Sequence, residues 1–152
     1  MGRRIEIMVA AALTASAIWA GQARAGEAEA KPAEEKSASE LRIELNKLAD
    51  TGAGGCRLTF VVSNATGGDI PQPRYEFVLF DADGLVERLT TFDFGALEAS
   101  KTSVRQFDLA GIGCARLGRI LVNGPSQCGE GAAAHCSATL ALSSRSAIPL
   151  VQ

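Results

Sequence analysis

The residues of this chain best equipped for chemistry are four cysteines, Cys56, Cys114, Cys128 and Cys136, and a single histidine, His135. His135 lies between Cys128 and Cys136, and with two thiolates its imidazole would make a soft site for zinc or copper(I). That chemistry requires reduced thiols. Redox catalysis would favour a Cys-x-x-Cys pair on a βαβ scaffold, whereas successive cysteines here are 58, 14 and 8 residues apart. An even cysteine count in an exported chain reads instead as two structural disulfides. Metal or redox handling by the Cys128–Cys136 region with His135 is the second reading of function.

The other candidates have simpler explanations. Asp81-Ala82-Asp83-Gly84 opens like a calcium loop, but glycine comes too early, and Phe92 stands where the closing glutamate belongs. A hairpin turn is expected there. His135 is the sole candidate general base, and no nucleophile elbow accompanies it. Gly111-Ile112-Gly113 leads from one strand into another, unlike a dinucleotide fingerprint. Asn64-Ala65-Thr66 is a glycosylation sequon only in a eukaryotic host. The expectation is therefore a protein that is not an enzyme and has no resident metal or cofactor. Arg105, Arg116, Arg119 and Arg145 fall on or beside the later strands of an otherwise acidic molecule. They are the candidate docking residues for an acidic envelope protein, weighed against ordinary solvated strand faces.

The first residues direct the chain rather than build it. Arg3 and Arg4 precede an apolar run over 7–20, and Ala23-Arg24-Ala25 supplies a small-x-small cleavage pattern. The run is 14 residues, short of the roughly 18–20 that span a bilayer. Residues 1–25 read as a signal peptide, by the Sec or twin-arginine route, with cleavage after Ala25 and no membrane span remaining. Cleavage removes both methionines and the one tryptophan, which excludes a Met-rich copper site and a Trp sugar platform. It also takes Arg3, Arg4, Arg24 and Glu6, leaving 12 basic and 16 acidic residues from the original 15 and 17, a net charge of −4. That balance argues against nucleic acid as a partner. A periplasmic destination follows.

Residues 26–40 are rich in Glu, Ala and Lys and too poor in large apolar side chains to form a core, so they read as a flexible linker. Residues 41–152 form the domain. Over 41–50 a helical stripe (Leu41, Leu45, Leu48) competes with strand alternation (Leu41, Ile43, Leu45), and the β-rich context favours a strand. Further strands are expected over 56–64, 75–81, 86–94, 102–109, 114–123 and 136–143, with bulges between Leu89 and Phe92 and near Arg105. The run Tyr75 to Phe80 is apolar on both parities, so it should be central and covered on both faces. About seven short strands of this kind describe an all-β, antiparallel, immunoglobulin-like sandwich.

The strand directions limit the disulfides. If successive strands alternate, Cys56 and Cys114 open two strands that run the same way, while Cys128 and Cys136 lie at the opposite end. Eight strand residues span roughly 26 Å, and bridged Cα atoms lie within about 7 Å. Cys56–Cys114 with Cys128–Cys136 is then the pairing that fits.

Phe77-Val78-Leu79-Phe80-Asp81 resembles the Phe-x-Leu-Tyr-Asp motif of a family of small secreted bacterial β-sandwich domains, with Phe80 in place of the Tyr. Leu41-Arg42-Ile43-Glu44-Leu45-Asn46, Val104-Arg105-Gln106-Phe107-Asp108 and Gly118-Arg119-Ile120-Leu121-Val122-Asn123 with Cys56, Cys114 and Cys128 also resemble exported, periplasmic β-sandwich proteins of alphaproteobacteria. The resemblance covers most of 41–145. It implies export and fold, and brings no activity or catalytic residues. The functional expectation is a non-catalytic binding or accessory module of the cell envelope that acts through protein–protein contact.

Overall fold

The computed structural model describes residues 39–152. The expected signal segment 1–25, and the linker as far as residue 38, lie outside the described residues. The strands are β1 (Glu40–Thr51), β2 (Gly55–Ala65), β3 (Arg74–Asp81), β4 (Val86–Asp93), β5 (Thr102–Leu109), β6 (Leu117–Gln127), β7 (Thr139–Ser144) and β8 (Leu150–Val151). Among the described residues a single short α-helix, α1 (Ala133–Cys136), interrupts them. They form two four-stranded sheets, β5-β2-β1-β7 and β4-β3-β6-β8. In the second sheet β3 is central between β4 and β6, and β8 flanks β6. The fold is the expected all-β sandwich, mainly antiparallel. Two edge pairings, β1 with β7 and β6 with β8, are parallel.

Alternation places the core. Leu58, Phe60 and Val62 of β2 and Tyr75, Phe77 and Leu79 of β3 turn inward and are buried. Phe60 meets Phe77 across the sandwich at a ring separation of 5.6 Å. Phe92 and Phe107 stack at 4.3 Å. Five of the chain's six phenylalanines join this cluster, and Phe80 is the exception, on the outer parity of β3.

The first strand shows why its sequence read two ways. Leu41, Ile43 and Leu45 are buried, the β1–β2 register shifts between Leu45 and Lys47, and Leu48 then pairs with Leu58. The bulge lengthens one step of the alternation and imitates a helical spacing. The other bulges are not where they were expected. In β4 the shift pairs Leu79 with Arg88 and Phe80 with Val86, so the extra residue is Glu87. The ladder between β2 and β5 runs unbroken from Cys56↔Leu109 to Ser63↔Thr102, so Arg105 marks no bulge. It occupies an inward position on an edge strand, where its long side chain reaches backbone carbonyls.

The C-terminal part departs further from the sequence reading. Cys136 ends α1 rather than opening a strand, and β7 begins at Thr139. The chain then leaves one sheet for the other and adds β8 beside β6. The disulfides pair Cys56 with Cys114 and Cys128 with Cys136, and no described cysteine is free. The first joins the start of β2 to the turn that leads into β6, a covalent tie between the two sheets.

Candidate functional site

The outer faces of the two sheets differ in chemistry. On the β5-β2-β1-β7 sheet, Arg57 and Asp108 form a two-bonded pair at 2.7 and 2.7 Å. Hydrogen bonding from the Arg57 guanidinium holds the Asp108 carboxyl below its ordinary range. Ser63 and Thr102 share a bond of 2.7 Å, and Gln106 donates to Thr59 at 3.1 Å. This face is laced by cross-strand polar pairs.

The outer face of β4-β3-β6-β8 is polar at one end, where Arg74 pairs with Asp93 at 2.9 Å and Asn123 donates to Glu76, and apolar toward the β3–β4 turn. Register aligns Leu89, Val78, Leu121 and Val151 in one row, and Val86, Phe80 and Arg119 in the next. Leu85, Val86 and Leu89 are exposed by 67, 59 and 57% of their surfaces. Val78 is buried and Phe80 is half-buried, while their inward neighbours Phe77 and Leu79 are fully covered. The expectation that β3 is covered on both faces is therefore corrected: the second sheet covers one face, and the other looks outward. The turn that delivers Leu85 is rigid. Asp81 Oδ1 accepts from the backbone N–H of Asp83 at 3.0 Å and of Leu85 at 2.8 Å, with Gly84 at φ 82°. This is an Asx-supported hairpin turn.

The four candidate arginines have different environments. Arg105 donates to the carbonyls of Phe94, Val104 at 3.1 Å and Ala96 at 3.2 Å, closing the gap between β5 and the segment after β4. Arg116 pairs with Glu87 at 2.6 Å, and Arg145 pairs with Glu44 at 3.0 Å. Arg119 lies with its guanidinium carbon 4.0 Å from the centre of the Phe80 ring. Among the described residues no carboxylate pairs with it. Of the four, Arg119 alone belongs to the apolar rows. The reading from sequence found this cation and missed its setting, Leu85, Val86 and Leu89. The signal was present in the apolar residues of both parities along β3, whose two faces were both expected to be covered.

The disulfide loop places His135 against glycine. Its Nδ1 is 3.2 Å from the Thr66 carbonyl, and its ring fills the space where Gly68 would carry a side chain. The neighbouring sulfurs are joined to each other in the oxidised protein. No cluster of three or more metal-ligating side chains occurs among the described residues. Asn64 of the sequon is buried, with Nδ2 on the carbonyls of Gly68 and Leu97 at 2.9 Å each and Oδ1 accepting from Thr66. It is a strut rather than an acceptor for sugar.

These features define an all-β sandwich stapled between its sheets by one disulfide and at one loop by another. No protein-family model matches the chain, and neither does any curated protein. Among solved structures the chain is similar to IrmA from Escherichia coli, with a TM-score of 0.52 and 10% identity over 60% of this chain and 80% of that one. At that identity the likeness is one of fold.

Proposed function

We propose that this protein is an exported, non-catalytic binding module of the cell envelope that docks a partner protein on the outer face of β4, β3 and β6. The observation that carries the reading is the exposed cluster Leu85, Val86 and Leu89, continuous with Phe80 beneath Arg119. Exposed apolar groups gathered on one face mark interaction surfaces more often than scattered ones do. An aromatic ring with a stacked arginine is the kind of anchor that dominates interface energies. Because Arg119 brings a positive charge with no carboxylate of its own, the fitting partner surface is apolar with a carboxylate opposite Arg119. The signal pattern, the acidic mature composition and two closed disulfides agree with a periplasmic site of action.

The test is site-specific photo-crosslinking in the exported protein, with the reactive group at Leu89 or, on the opposite sheet, at Thr59. A protein adduct that forms from Leu89, fails from Thr59 and disappears with Arg119→Glu supports the reading. Adducts from both positions, adducts between copies of this chain, or none at all overturn it.

A further inference from the structure

A second site lies away from that face, where β7 parts from β1. The parallel ladder runs from Glu40↔Thr139 to Leu45↔Ser144 and ends with the Arg145 N–H donating to the Leu45 carbonyl at 2.9 Å. The bulge in β1 follows at once, and the chain crosses to the other sheet, where the Ile120 N–H donates to the Pro149 carbonyl at 3.0 Å. Divergence of the two strands opens a cleft of about 550 Å³. That is within the range of small-ligand sites, about 300–1,000 Å³.

A disulfide and hydrogen bonds tie the walls. Cys114, held to β2 by its disulfide, forms one side. The opposite side is the turn after β7, tied by Ser144 Oγ and Ser146 Oγ, which both donate to the Ile148 carbonyl at 2.6 and 3.1 Å. Buried Leu117 and Ile148 with half-buried Leu48 line the interior. Lys47 and Arg145 stand at the rim. Lys47 has no carboxylate partner among the described residues, and Arg145 donates from its Nε to Glu44 at 3.0 Å. With Glu44 paired to Arg145 the mouth keeps the one net positive charge of Lys47, over a floor where Leu48, Leu117 and Ile148 meet.

We infer that this cleft binds a single-chain carboxylate amphiphile, with its carboxylate between Lys47 and Arg145 and its hydrocarbon on Leu48, Leu117 and Ile148. The assignment does not depend on the partner proposed for the other face. The probe is decanoate below its micellar concentration, followed by calorimetry and by amide shifts of the full mature chain. Saturable binding is expected, with shifts confined to residues 46–48, 114–117 and 145–148. Decanol, which lacks the charge, should bind about tenfold more weakly. Lys47→Gln with Arg145→Gln should weaken decanoate by about tenfold or more. Ala147→Trp should block the cleft, and all three positions are exposed, so the variants should melt like the parent. No binding, equal affinity for decanol, insensitivity to the rim variants, or shifts centred on Leu85 to Leu89 overturn the assignment.

Discussion

The phenol of Tyr75 donates to the carbonyl of Cys136 across 2.7 Å, tying β3 to the loop closed by the Cys128–Cys136 disulfide. Both residues are fully buried, and the Tyr75 ring packs edge-on to Phe94 at 6.1 Å. One side chain thus serves the aromatic core with its ring and satisfies a carbonyl at the end of α1 with its hydroxyl.

That bond predicts an alkaline limit to stability. Burial pushes the Tyr75 phenol up to about 12 from its ordinary 10.0. The unfolded chain therefore releases this proton first, so the contribution is complete below pH 10 and is lost as pH rises through the folded value. Tyr75 is the only tyrosine, so phenolate absorbance reports it alone. The titration should fall well above 10, together with loss of β-sheet circular dichroism. Tyr75→Phe should flatten the alkaline decline and cost about 1–2 kcal/mol at neutral pH. Titration at the ordinary value with the fold intact would contradict this account.

Asn64 predicts a different loss. Its amide donates to two carbonyls and accepts from both the N–H and the hydroxyl of Thr66, all in a buried site. Asn64→Leu keeps the bulk but leaves those groups without partners, which should cost about 2–3 kcal/mol. Denaturant unfolding should show a lower midpoint with an unchanged slope. Thr66→Val removes one of the bonds and should cost less.

What the sequence made legible follows from which residues obey a simple period. Leu58, Phe60, Val62, Tyr75, Phe77 and Leu79 alternate without interruption, and the sandwich and its central strand can be read from them. Leu48 was ambiguous because a bulge at Asn46 adds a residue that no local pattern announces. The outward setting of Leu89 was not legible because hydrophobicity cannot tell an inner face from an exposed one. Cys136 was placed on a strand because four helical residues are too few for a period to appear. The cleft was invisible for another reason: Leu48, Leu117 and Ile148 meet only after the chain has crossed between sheets.

The two disulfides should differ in weight. Cys56–Cys114 closes 58 residues and Cys128–Cys136 closes 8. On the chain-entropy model the first contributes about 4 kcal/mol and the second about 2.5 kcal/mol. Replacing each pair by alanine and comparing unfolding midpoints should reproduce that order. Peptide mapping should recover the same two linkages, and native protein should react with no thiol reagent until it is reduced.

Arg105 and Arg119 are formally alike and should behave oppositely. Arg105 holds three backbone carbonyls from one guanidinium at the open side of the sandwich. Arg105→Ala should therefore destabilise by about 1–3 kcal/mol, since acceptors lose a charged donor. Arg105→Lys should restore little of it, because an ammonium cannot reproduce the planar fork. Arg119 stacks on a half-buried ring in solvent, an arrangement worth about 0.5–1 kcal/mol. Arg119→Ala should leave the thermal midpoint nearly unchanged while lowering crosslinking from Leu89. Equal destabilisation by both alanine variants would make Arg119 a second structural arginine and take the charge out of the docking face.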